Sequence, residues 1–135
     1  MRRPPDLSQP YGSEAERADA REALLLYCYA IEILTKLVEL PASKWSPEQT
    51  GAFPSSVPDG PPEPPQHRLQ RWFALYGDEI RLSREVRNRL VHRGIVTDPE
   101  LRSAAYLARN IVATVMGVPP SEAESAARRV LALAA

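Results

Sequence analysis

The chain has 135 residues, 44% of them hydrophobic and 25% charged, which suits one globular domain with a buried core. Seventeen basic residues balance seventeen acidic ones, so no global charge draws the chain to nucleic acid or to a membrane surface. Cys28 is the only cysteine, which excludes an intrachain disulfide framework and a four-cysteine zinc site.

Residues 1–12 hold Pro4, Pro5 and Pro10 with few apolar side chains and are expected to form a flexible arm. The opening MRRPPDLSQP has charge but no apolar stretch behind it, so a signal peptide is not expected, and the protein is expected to be cytoplasmic. Ser13-Glu14-Ala15-Glu16 fits the S-x-x-E capping box and predicts a helix from there to about Leu40, stopped by Pro41. That helix is apolar around most of its circumference, with Cys28 a small buried hydrophobe and a narrow polar stripe at Glu32, Thr35, Lys36 and Glu39. Glu32 and Lys36 are spaced to pair at i, i+4. The longest apolar run, Ala23 to Ile31, is about half of the roughly 20 residues a membrane span needs, so no membrane association is expected.

Residues 41–65 hold eight of the fourteen prolines and read as a connecting loop without regular structure, ending in Pro61-Pro62-Glu63-Pro64-Pro65. Helical pattern resumes near Gln66 and runs to about Arg93, with a break expected at Gly77-Asp78, where Asp78 is a candidate cap. Gly94 stands where a C-terminal cap glycine belongs. Thr97-Asp98-Pro99-Glu100 supplies a cap residue, a proline at the first helical position and an acid in the first turn of the next helix, which Gly117 and Pro119-Pro120 end. Ser121 opens a last short helix. The 13–135 stretch is thus expected to be a single all-α domain, an up-and-down four- to five-helix bundle with a Pro-rich loop after the first long helix.

One residue breaks the pattern of the third helical segment. At 100° per residue, Leu82, Val86 and Leu90 lie together, Ile80 and Val91 widen their arc, and Arg87 falls inside it. A guanidinium on an apolar face needs an anion, a carboxylate or a wet cleft. His92 stands in the last turn, with Asn88 and Glu85 on its own face, placed to orient an imidazole. On an ideal helix Arg87 and His92 point about 140° apart, so one helix alone does not aim them at one atom.

The stretch REVRNRLVHRG resembles the signature of the HEPN superfamily, in which an Arg precedes a His by four to six residues and a polar residue commonly follows the Arg. Arg87, Asn88, Leu90 and His92 match the common form R-N-x-L-x-H, and Ala30, Glu32 and Lys36 resemble a pattern of the family's first helix. The similar pieces cover residues 20–40 and 75–117. The proline-rich stretch departs from relatives that are helical there. The resemblance implies a helical bundle that forms a homodimer with the two motifs facing each other. It also implies a metal-independent endoribonuclease without cofactor, a toxin or defence effector whose partner is a cognate antitoxin such as a nucleotidyltransferase. Other members are non-catalytic and bind a nucleotide, RNA or a protein partner, which is the alternative here; a third reading is a structural interaction module with a proline-rich tether.

The residue types suit RNA cleavage through 2′-hydroxyl attack. Histidine titrates near neutral pH and moves protons, while arginine stays charged and holds phosphate oxygens bidentately. Arg87, His92 and Asn88 are therefore the candidate catalytic residues, with Arg84, Arg89 and Arg93 as candidate RNA or phosphate contacts and no metal ligand set. Nine arginines face five acids between Gln66 and Asn110, a weak local excess in the same direction. Trp72, Phe73 and Tyr76 sit at helical spacing and are expected in the core.

Overall fold

The computed structural model describes residues 7–52, 65–92 and 94–133, and among these the chain is all-α with no strand. The helices are α1 (Glu14–Glu39), α2 (Pro47–Gly51), α3 (Pro65–Leu75), α4 (Gly77–His92), α5 (Asp98–Met116) and α6 (Ala123–Ala132). Short 3₁₀ turns at Ala42–Lys44 and Pro120–Glu122 precede α2 and α6.

Local chemistry accounts for the helix ends. Ser13 Oγ accepts the Glu16 N–H at 3.2 Å, but the Glu16 carboxylate turns to the Gly12 N–H instead of closing the box on Ser13. At α5 the box is complete: Thr97 Oγ1 accepts from Glu100 N–H, and Glu100 Oε1 accepts from Thr97 N–H at 3.1 Å. Gly117 has φ 69°, and Val118 N–H closes onto Ala113 O at 2.9 Å, a Schellman end that a side-chain-bearing residue would strain. Gly94 also has φ 69° and donates to Arg89 O at 2.8 Å just beyond α4.

The loop after α1 and the cap at Asp78 need correction. The first half of the proline-rich stretch is structured: Ser46 and Gln49 form a full capping box with Pro47 at the helix start, which makes α2. Trp45 Nε1 donates to Leu37 O at 2.9 Å, and Gln49 Nε2 to Leu133 O at 3.3 Å, fastening this segment to the ends of α1 and α6. The run from residue 53 to 64, with most of the proline-dense end, lies outside the described residues. Asp78, the candidate cap, is inside the first turn of α4 and pairs with Arg81 at 3.2 Å. The break there is a single turn residue, Tyr76, whose backbone still bonds to Trp72 and Ile80.

α1 packs against α3, α4, α5 and α6, as its apolar circumference requires. Leu24 and Leu34 of α1 are fully buried, as are Leu101, Val112 and Val115 of α5 and Val130 of α6. Ala123, Ala126 and Ala127 give α6 a flat small-residue face, letting it lie close on α1 and α5. On α4 the buried positions are Val86 and Ser83, whereas Leu82 and Val91, expected on the apolar arc, are exposed. Small Ser83 allows close approach to α5, donating its hydroxyl to Ala104 O at 3.5 Å. Trp72, Phe73 and Tyr76 pack against the core.

The described part of the N-terminal stretch, residues 7–12, is held on α5. Arg102 donates to Gln9 O and Pro10 O and lies 4.1 Å over the Tyr11 ring. Asp98 accepts from Tyr11 N–H and, bidentately, from Arg17 at 2.8 and 3.0 Å. The Arg17 guanidinium, then the Tyr11 N–H, holds the Asp98 carboxyl below the ordinary carboxylate range. A lowered folded-state pKa stabilises the fold above the unfolded value of about 3.9, and that contribution is lost as pH falls through the folded value. The expected result is a melting temperature that drops on acidification through this range, and drops less steeply in Asp98→Asn. Equal slopes for the two proteins would sink this assignment.

Candidate functional site

α4 carries the whole candidate motif, and its neighbours divide that motif into two sides. Arg87 faces the seam between α1 and α4, beside Cys28, Ile31, Ile80, Ser83 and Arg84. Its Nη2 stands 3.5 Å from Glu32 Oε1 on α1. Glu32, spaced to pair with Lys36, thus turns to a partner 55 positions away in sequence. At 3.5 Å the pair is longer than the 2.7–2.9 Å usual for a charge-assisted hydrogen bond. Arg87 Nε is buried and has no hydrogen-bond acceptor among the described residues. The guanidinium is therefore incompletely satisfied, although Glu32 is a carboxylate of the kind its place on the apolar side calls for.

Cys28 packs beneath Arg87 and donates its thiol to Ser83 O at 3.8 Å. Burial pushes its pKa up to about 11, with the Arg87 charge acting weakly the other way, so the thiol is neutral at physiological pH. It serves as packing.

His92 opens on the other side of α4. With Glu85, Asn88 and Arg89 it lines an open depression of about 460 Å³. His92 is exposed, and its side chain makes no hydrogen bond or ion pair among the described residues. Asn88 borders this depression rather than the Arg87 seam. Of the three candidate phosphate contacts, Arg84 lies on the Arg87 side and is exposed. Arg89 lies on the His92 side in an ion pair with Glu100 of α5. Arg93 falls outside the described residues. The Glu100 carboxyl is lowered first by Arg89 and then by the Thr97 hydrogen bonds, so Arg89 is already neutralised by an anion with two structural duties. Beyond Arg89 a groove between α4 and α5 is floored by Val86, Ala104 and Leu107.

Arg87 and His92 thus share a helix but not a pocket, in keeping with the angle between them on an ideal helix. Sequence reasoning missed Glu32 and Glu100 as the partners of the two arginines. Glu32 was legible only as part of the polar stripe of α1, spaced to pair with Lys36; Glu100 was legible as a cap but not as an ion-pair partner. Among the described residues no three His, Cys, Asp or Glu side chains gather as a metal site would require. No helix among them is long and apolar enough to cross a membrane. The chain matches no family model, no curated protein and no solved structure.

Proposed function

We propose that this chain is a HEPN-like endoribonuclease, built as an up-and-down bundle, that cleaves RNA in the cytoplasm as a homodimer, with Arg87 and His92 completing a site across the interface. The observation that carries this reading is Arg87 itself: a guanidinium at a helix seam that has, among the described residues, one long ion pair and no acceptor for its buried Nε, with a histidine five residues on that opens elsewhere. A second copy brings the His92 of one α4 toward the Arg87 of the other, which a single helix cannot do.

Exposed apolar side chains border the Arg87 seam. Leu25 and Tyr29 lie within about 60° of Glu32 on α1, and Val91 follows Arg87 by one turn on α4. They are 39%, 54% and 57% exposed. In the proposed reaction the ribose 2′-oxygen attacks the adjacent phosphorus, the P–O5′ bond breaks, and a 2′,3′-cyclic phosphate and a 5′-hydroxyl result. His92 moves the proton, and Arg87 stabilises charge on the phosphoryl oxygens. Asn88 borders the histidine's depression and contacts the substrate there. A cognate antitoxin, such as a nucleotidyltransferase, would act by covering this same face.

The dimer is testable by sizing. Wild type is expected at twice the chain mass, and Tyr29→Glu with Val91→Glu is expected to give a folded monomer with cleavage reduced at least tenfold. A well-folded wild-type monomer removes the shared site. The non-catalytic alternative draws on one observation, that Arg89 is already paired with Glu100 and adds little free charge for RNA. Labelled RNA incubated with and without EDTA separates the two: chelation leaves cleavage unchanged under the leading reading, and no cleavage occurs under the alternative.

A further inference from the structure

The Arg87–Glu32 pair holds more than the position of Arg87. The void beside Cys28, Ile31 and Arg87 is only about 10 Å³, roughly one water, so no phosphate enters behind the guanidinium. An anion must approach from outside, at the terminal nitrogens, which the 21% exposure of the Arg87 side chain leaves accessible. That is the edge Glu32 occupies, through Nη2. Glu32 is itself 39% exposed, its contact is long, and a carboxylate so placed can turn into water when a better anion arrives. Arg84 lines the same seam and is free of ion pairs among the described residues, so a phosphate at this edge meets a second cation where Glu32 meets one.

We infer that Glu32 is a displaceable counter-anion that competes with the substrate phosphate for Arg87 and so sets how tightly the site holds the RNA backbone. This rests on the reading of Arg87 as a phosphate-binding residue. Its consequence has the opposite sign to that of a catalytic or merely structural carboxylate: removing the charge strengthens binding. While the site is empty, the carboxylate also keeps a half-buried cation neutralised, which limits non-productive capture of other anions.

The test uses a fluorescent 2′-O-methyl RNA oligonucleotide, which lacks the attacking hydroxyl and cannot be cleaved by this route. Glu32→Gln keeps the shape and removes the charge. It is expected to bind the oligonucleotide about twofold to fivefold more tightly than wild type by anisotropy, the range that loss of a half-exposed ion pair allows. Adding Arg87→Gln should abolish the gain. Equal or weaker binding by folded Glu32→Gln, a gain that persists without Arg87, or no binding by either protein overturns the inference. Wild type gives a second measurement that needs no variant to fold: the Arg87 Nε–H resonance should shift as oligonucleotide is added, and an unmoved resonance overturns the inference too. Failure of the nuclease reading, seen in cleavage, is thereby separable from failure of the Glu32 competition, seen in binding.

Discussion

Under the proposed chemistry, His92→Ala lowers RNA cleavage about 10²- to 10⁴-fold, the range that general acid–base catalysis contributes. The same substitution should leave folding intact. His92 is exposed at the end of α4, and its side chain has no hydrogen bond or ion pair among the described residues, so alanine breaks no polar contact there. Loss of activity would therefore report chemistry rather than stability. The check is cleavage of end-labelled RNA beside a thermal melt of the same preparation. If the variant cleaves as wild type does, the histidine has no catalytic role and the binding alternative takes its place. Arg87 is a poorer first probe, because its loss also strips the partner from Glu32 and disturbs the α1–α4 seam.

The second large effect is expected in the core, at two adjacent leucines. Leu24 is fully buried where α1 meets its neighbours, while Leu25 is 39% exposed on the outward edge. Leu24→Ala is expected to cost about 2–5 kcal/mol, through lost transfer free energy and the cavity left behind. That is a large part of the roughly 5–15 kcal/mol available to a domain of this kind. Leu25→Ala should cost much less in the isolated subunit, and should instead weaken the proposed dimer. Urea unfolding at low protein concentration measures the first effect, and the concentration dependence of the midpoint measures the second. Similar losses for both leucines at low concentration would mean that α1 is not oriented as described.

The pair shows where sequence reading stops. Leu24-Leu25-Leu26 is one apolar run, and nothing in it tells which member is buried and which faces water. Helix ends were legible because their causes are local. Thr97 and Glu100 satisfy each other's backbone groups within one turn, and Gly117 accepts a left-handed φ that other residues resist. The same local signal was present and overlooked at Ser46-Pro47-Glu48-Gln49, where the surrounding prolines suggested a loop. The fastening of residues 7–12 depends on Asp98 and Arg102, more than 80 positions away, and no short-range pattern announces it.

The motif on α4 divides along the same line. By itself the sequence determined the all-α class and the helix that carries Arg87, Asn88 and His92. It also determined that Arg87 stands on the wrong face for a charge, because helical periodicity is a property of one segment alone. Only the tertiary structure decided what answers that charge. Docking of α1 put Glu32 beside Arg87, and docking of α5 put Glu100 beside Arg89, leaving Arg84 and His92 on opposite flanks without ion pairs among the described residues. Those pairings join residues tens of positions or a loop apart, so they are set by how helices pack and not by the spacing of residues within one.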